Sequence, residues 1–471
     1  MKKINKSVLF VAATVFLFSG CNKFDESINR DTNNPTVASG TQLIANSELS
    51  LPTLSSSPQG EYYAQFLSEA LYPDLSLYNN VNFSFYTLYT GPLQNLESVL
   101  TSPSLVPSEG PISNQLAVAK ILKAYFFWHI TDRWGDVPFS EALKGKNNYT
   151  PAYDTQQSIY NSLFKLLDEA NSQIVAGDIS NDIVYNGNME RWKKLGNTLH
   201  LLIALRLSKI DPNTGKVEFN KALAAGIMES NEDNLVYKHL ANAANENYWY
   251  DQISNQNRKW WALSKPLVDY IKPLDDPRLK VYGDANKVGD YTGLEFGLVE
   301  GVDKKDPSLL GLAIRKQDAP VYLVTFAQAL FAKAEAAKMN WIPGADVEAK
   351  TNYDMGIEQS VRQWNNDDIS GLAKMKAHAE IQYNPANGLK QIAYQRWVHL
   401  FMNGFEAWAE WRRTGYPELS SPVGNPAKAI PRRQAYPTEE SSNNKAHYSE
   451  AIQRQFNGTD DLTGRLWWDK P

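Results

Sequence analysis

Cysteine is the residue this 471-residue chain almost lacks: Cys21 is the only one. No intrachain disulfide can staple the fold, and thiol catalysis is excluded from everything after the N-terminal segment. The six histidines, His129, His200, His239, His378, His399 and His447, never form the close pair that a zinc-binding helix supplies. No Walker loop, dinucleotide fingerprint or nucleophile elbow occurs, so neither a metal nor another cofactor is expected. Beyond residue 20 no stretch is long and uncharged enough to span a bilayer. Positive charge is also short. Three of the 47 basic residues lie in the first twenty positions, leaving 44 against 52 acidic ones, a balance of −8. Displacing counterions from phosphates takes a cationic face, so nucleic acid is not an expected partner. What is present, 43% hydrophobic and 21% charged, is a globular composition with ample material for a core.

The chain opens on a targeting signal. Lys2, Lys3 and Lys6 precede an apolar stretch from Val8 to Phe18, and residues 1–20 read as a signal peptide. Ser19-Gly20-Cys21 resembles a bacterial lipobox, with Phe18 standing where that motif usually has Leu. Cys21 is accordingly expected to be lipidated, each buried methylene adding about 0.8 kcal/mol of anchoring. Residues 21–40 then form a flexible tether, in which Lys23, Asp25 and Glu26 resemble the acidic export signal of surface lipoproteins in Bacteroidetes. The expected location is the outer membrane, lipid-anchored, with the body on the cell surface.

From residue 41 to 471 the patterning predicts one mainly α domain. Ala117, Ile121, Ala124, Tyr125 and Trp128 make one helical face that ends before Gly135 and Pro138. A second helix is expected from Asp154, capped there with Gln157 in the reciprocal position, through Ile159, Leu163, Leu166 and Ala170 to a stop at Gly177. Trp192, Leu195, Leu199, Leu202 and Ile203 make a third stripe, and Phe219, Leu223 and Ile227 a short fourth. Tyr322 to Lys338 and Tyr353 to Trp364 pair across Pro343 and Gly344, and Leu389 to Arg413 reads as one long helix. Helical pairs of this size suggest degenerate tetratricopeptide-like stacking, although no 34-residue period fits them. Between about 231 and 320 the periodicity lapses into a loop-rich insertion punctuated by glycine.

Chemistry-bearing patterns are few. A glycosidase needs two carboxylates about 5 to 10 Å apart, and Glu406 with Glu410, one helical turn apart, is the best pair. Arg412 and Arg413 beside them favour a local ion-pair reading, so no enzyme activity is expected. Aromatics are the informative excess: 13 Trp, 24 Tyr and 18 Phe. Rings on the helical stripes serve packing. Others fall where periodicity fails and mix with amides, which suits sugars, whose C–H faces stack on rings while their hydroxyls bond to amides and carboxylates. A peptide would suit the same mixture. The expected ligand surface is therefore Tyr78, Asn80, Asn82, Tyr86 and Tyr89, meeting Trp249 and Trp260 from the insertion.

Several segments together resemble the SusD/RagB family of outer-membrane lipoproteins, in its SusD-like branch. They are Arg133-Trp134-Gly135-Asp136-Val137-Pro138-Phe139 with Glu141-Ala142-Leu143, Glu190-Arg191-Trp192 leading to Ala204-Leu205-Arg206, and Asp276-Pro277-Arg278-Leu279. Glu406-Ala407-Trp408 running to Tyr416-Pro417, Ile430-Pro431-Arg432-Arg433 with Tyr436-Pro437, and Trp467-Trp468-Asp469 complete the match. The resemblance implies a single helical domain with degenerate tetratricopeptide-like repeats and no catalysed reaction. It also implies a partner, a SusC-like TonB-dependent transporter barrel over which the protein closes as a lid, with an oligosaccharide or oligopeptide as ligand.

Overall fold

In the computed structural model the described residues are 38–69, 71–79, 82–299 and 306–470. The expected signal peptide, Cys21, most of the expected tether and Asn80 lie outside them. A short helix α1 (Pro58–Tyr63) and strand β1 (Leu67–Glu69) come early in this framework. Helix α2 spans Ile112–Trp134 and buries the expected stripe, but it also buries Asn114, Gln115, Thr131 and Asp132. It is a central rod and not a surface helix. It stops at Gly135, whose φ of +90° is readily adopted by glycine and strained for a side-chain-bearing residue.

Strand β2 (Val137–Pro138) then pairs with β3 (Tyr153–Asp154), and this pairing corrects the expected cap of the next helix. The Asp154 carboxylate accepts the backbone N–H groups of Phe139 (3.0 Å) and Ser140 (2.8 Å) across the turn. Helix α3 (Gln156–Gln173) is capped instead by Thr155, whose side chain accepts from the Ser158 N–H. It also ends before Gly177. The Asn114 side chain bonds the carbonyls of Val175 and Gly177 and the N–H of Val175, taking groups that a longer helix would need.

Helix α4 (Met189–Arg206) packs against α5 (Pro212–Ala225) as a pair, with Ile227 beyond the end of α5. The stretch 231–320 holds only short pieces, among them β4 (Leu235–Tyr237), β5 (Trp261–Leu263) and α6 (Lys265–Ile271). Strand β6 (Val321–Val324) pairs antiparallel with β4, so Tyr322 lies on a strand and not at a helix start. Helix α7 (Phe326–Lys338) begins after it, at a capping box between Thr325 and Gln328. Helix α8 (Ala345–Trp364) starts ahead of Tyr353. The two pack tightly because Gly356 faces the Phe331 ring, where a Cβ would stand 2.9 Å away.

The long final helix is in fact two, α9 (Gly388–His399) and α10 (Gly404–Thr414). Tertiary contacts make the break. A Cβ on Gly404 would lie 2.2 Å from the Gly60 carbonyl carbon of α1, the Gly404 N–H donates to Glu61 (2.9 Å), and the Asn403 amide donates to the Leu323 carbonyl (2.9 Å). These fix the turn through Met402, at φ +64°. The result is a mainly α fold of irregular helical pairs. One large core lies among α2 to α5, and a second gathers α1, β1, β5, α9 and part of α10. No helix among the described residues is long and apolar enough to cross a membrane.

Candidate functional site

The insertion meets the segment just ahead of Tyr72 through a two-strand ladder. β1 and β5 pair antiparallel, with Leu67 opposite Leu263, Ser68 opposite Ala262 and Glu69 opposite Trp261. Trp261 is buried, and its indole N–H donates to the Tyr62 hydroxyl at 2.8 Å. Trp260, one residue earlier, is half-buried and meets the ring of Tyr72 edge-on, with centroids 5.3 Å apart at 78°. The Arg258 guanidinium lies 5.7 Å from the centre of the Trp260 ring. Trp260 rests on Trp261 (5.2 Å), which meets Trp249 edge-on (5.4 Å). The outcome is a ring shelf with an aromatic floor. Tyr72 is 70% exposed and is held at φ +57°, a conformation costly for a bulky residue.

Tyr72 was not among the expected ligand residues, although its place before Pro73 and Asp74 is a turn signature that marks an exposed ring. Two expected residues are corrected. Tyr78 and Trp249 are 0% and 2% exposed and belong to the core under the shelf. Gln65 donates to the Tyr78 hydroxyl at 3.2 Å, and the ring packs on Tyr63 and Phe296. Both rings bury large apolar area behind the surface and do not line it.

Tyr86 and Tyr89 stand elsewhere, at the margin of the large core, beside a cleft of about 290 Å³ whose walls include Tyr149, Asn148, Asn443 and Asn444. The Glu440 carboxylate accepts from the hydroxyls of both Tyr86 and Tyr153. Burial, then the bond to Glu440, pushes the Tyr86 phenol up from its ordinary range. The Tyr89 hydroxyl donates to the Pro138 carbonyl at 2.6 Å, and the Asn82 amide donates to the Tyr436 carbonyl at 2.8 Å. Asn82 is thus committed to holding the chain, and the expected single surface divides into a Trp260 shelf and a Tyr86 cleft.

Of the carboxylate pair, Glu410 is buried and Glu406 half-buried. Arg206, 0% exposed, bonds Asp132 (3.1 Å), Glu406 (2.7 Å) and Glu410 (2.5 Å). Arg396 and Arg413 each bond both Glu410 and Glu335. Burial raises both glutamates. In Glu410 the three guanidiniums outweigh it and hold the carboxyl well below its usual range, whereas Glu406 is left up at about 7. Divergent pKa values can mark an acid and its partner, but geometry decides first. Both Glu410 oxygens are taken by arginine, and the cavity beside Glu406 is about 30 Å³, room for a water and not for a sugar ring. Among the described residues one cluster, Asp168, His200 and Glu218, has metal-ligating types close together. The Lys221 ammonium already bonds both of its carboxylates.

A family model of SusD-like type, described as starch-binding and associating with outer membrane, matches residues 32–437. The chain belongs to this SusD-like family. A solved structure of a chitin-binding protein is 29% identical, with TM-score 0.79, over 92% of this chain and all of that one. A SusD homologue from Bacteroides fragilis is 25% identical with TM-score 0.81 over 92% of this chain and all of its own. A chitin-binding SusD homologue from Flavobacterium johnsoniae, 23% identical over 92% of this chain and 98% of its own, has TM-score 0.76 and shares the fold. No curated protein matches. The SusD-like signatures occupy structural positions. Arg278 bonds Asp276 with two nitrogens (2.9 and 2.6 Å) and also Ser360 and Gln395. Arg412 covers the Trp408 ring at 3.5 Å, and the Trp468 indole donates to Asp132 at 2.9 Å.

Proposed function

We propose that this chain is a surface-exposed nutrient-binding lipoprotein, anchored in the outer membrane through acyl chains on Cys21, that captures an oligosaccharide and closes as a lid over a SusC-like TonB-dependent transporter. The observation that carries the reading is the family match across residues 32–437. Sugar is preferred to oligopeptide because the family description names starch and two similar structures are called chitin-binding. The shelf of Tyr72 and Trp260, with Arg258 at its edge, is the ligand face in this reading: exposed rings stack on sugar C–H faces and the guanidinium donates to hydroxyls. The Tyr86 and Tyr89 cleft supplies a second stretch of the same chemistry.

The role is one of binding, not catalysis, and the arginine-bound carboxylate pair supports that division. Gentle detergent extraction followed by affinity purification of the tagged chain should recover a large β-barrel transporter in near-stoichiometric amount. Recovery of the lipoprotein alone from cells that make the barrel would contradict the lid role. Cys21→Ser should release the protein from the membrane fraction with its unfolding midpoint unchanged, because the attachment in this reading rests on acyl chains at a position ahead of the helical domain in the sequence.

A further inference from the structure

A cleft of about 490 Å³ opens where α6, α9 and the turn 379–387 meet, and nothing in the ligand face above accounts for it. Its size falls within the range of small-ligand sites. Two half-buried rings line it, Tyr270 from α6 and Tyr394 from α9, packed with centroids 4.7 Å apart. Around them stand Glu380, Asn384, Asn387 and Lys390. The turn is pre-formed, since the Gln391 side chain donates to the carbonyls of Glu380 (3.0 Å) and Gln382 (2.8 Å) and accepts the Asn384 N–H (2.8 Å). Lys390 is neutralised by Glu418 at 3.0 Å. Among the described residues the side chains of Glu380 and Asn387 and the amide N–H₂ of Asn384 find no ion-pair or hydrogen-bond partner, while the Asn384 Oδ1 accepts the Ala386 N–H, which leaves acceptors and donors at the rim for a ligand.

We propose that this cleft is a second carbohydrate site, taking one or two residues of a neutral oligosaccharide against Tyr394 and Tyr270, with hydroxyls bonded by Glu380, Asn384 and Asn387. Two helices and a turn wall the cleft and no strand edge runs through it, so a peptide backbone finds no ladder there. The polar rim offers no apolar groove for a docked helix. An anionic ligand is disfavoured, because the one cation lining the cleft is already paired and Glu380 at the rim is not.

The test is calorimetric titration of the detergent-solubilised full chain with maltohexaose and with chitohexaose, in wild type and in Tyr394→Ala, Trp260→Ala and Glu380→Gln/Asn387→Ala. The last pair sits on exposed positions and keeps the test open should Tyr394→Ala fail to fold. The proposal expects two classes of site for at least one hexasaccharide. One is weakened about tenfold or more by the cleft variants and not by Trp260→Ala. Absence of binding to both sugars, a single class lost only in Trp260→Ala, or cleft variants indistinguishable from wild type would overturn it. The single-class result would still leave the Trp260 shelf standing.

Discussion

The ion seam of α10 and the ring shelf at Trp260 use side chains that both look chemically capable in the sequence, and they do opposite things. In the seam, buried Glu410, Arg206, Arg396 and Arg413, with half-buried Glu406 at the edge, pair with one another. On the shelf, Tyr72 and Trp260 leave part of their ring surface open above an aromatic floor. Charged residues at helical spacing therefore carry the scaffold here, and in the proposed reading residues outside any motif carry recognition. Burial, not residue type, separates the two roles, because a charge whose every partner is internal has nothing left to offer a substrate.

The sharpest way to break the contrast is Arg206→Ala, which removes the guanidinium shared by Asp132, Glu406 and Glu410 and leaves Glu406 with no cation partner among the described residues. It should cost about 3 to 5 kcal/mol of stability in urea unfolding, with ligand affinity of the folded fraction unchanged. Reduced affinity at unchanged stability would mean that the seam reaches the ligand. Within the aromatic region the comparison can be made one ring at a time. Trp249→Ala should leave a cavity and lower stability by about 3 to 5 kcal/mol. Trp260→Ala should change stability far less and weaken ligand binding by about 1 to 3 kcal/mol.

A smaller effect concerns pH. Burial holds the Glu61 carboxyl, bonded to the Gly404 N–H at the start of α10, up at about 8 against an ordinary 4.5. The folded state thus binds this proton more tightly than the unfolded chain. The associated stability is complete below the unfolded value and is lost as pH rises from about 4.5 through about 8. Glu61→Gln should gain on wild type across that window, with the two unfolding midpoints drawing closer toward acid pH. A constant difference at every pH would show that Glu61 does not titrate there.

Helix existence was legible because α2, α4 and α8 repeat apolar residues over many turns. Their ends were not, because they are set by residues far away in the chain. Asn114 stops α3, Gly60 and Glu61 split α9 from α10, and β4 pulls Tyr322 onto a strand. The burial of the expected rings was legible only in part for a related reason. Loss of periodicity around Trp260 marks an irregular surface, but ring type alone cannot tell Tyr72, exposed beside Pro73, from Tyr78, which Gln65, Tyr63 and Phe296 enclose. The Tyr270 and Tyr394 cleft is not legible in the sequence because Tyr394 lies on a regular helix, where aromatics ordinarily serve packing, and its pairing with Tyr270 of the insertion is a tertiary contact.

The central claim, that this protein binds through exposed rings and does not use its carboxylate pair, is tested most directly by titrating one hexasaccharide, chitohexaose, into wild type, Trp260→Ala and Glu406→Gln while assaying for released reducing sugar. The account predicts affinity weakened about tenfold or more in Trp260→Ala, unchanged in Glu406→Gln, and no sugar released by any of the three. Sugar released by wild type and abolished in Glu406→Gln, with Trp260→Ala binding as wild type does, would contradict it.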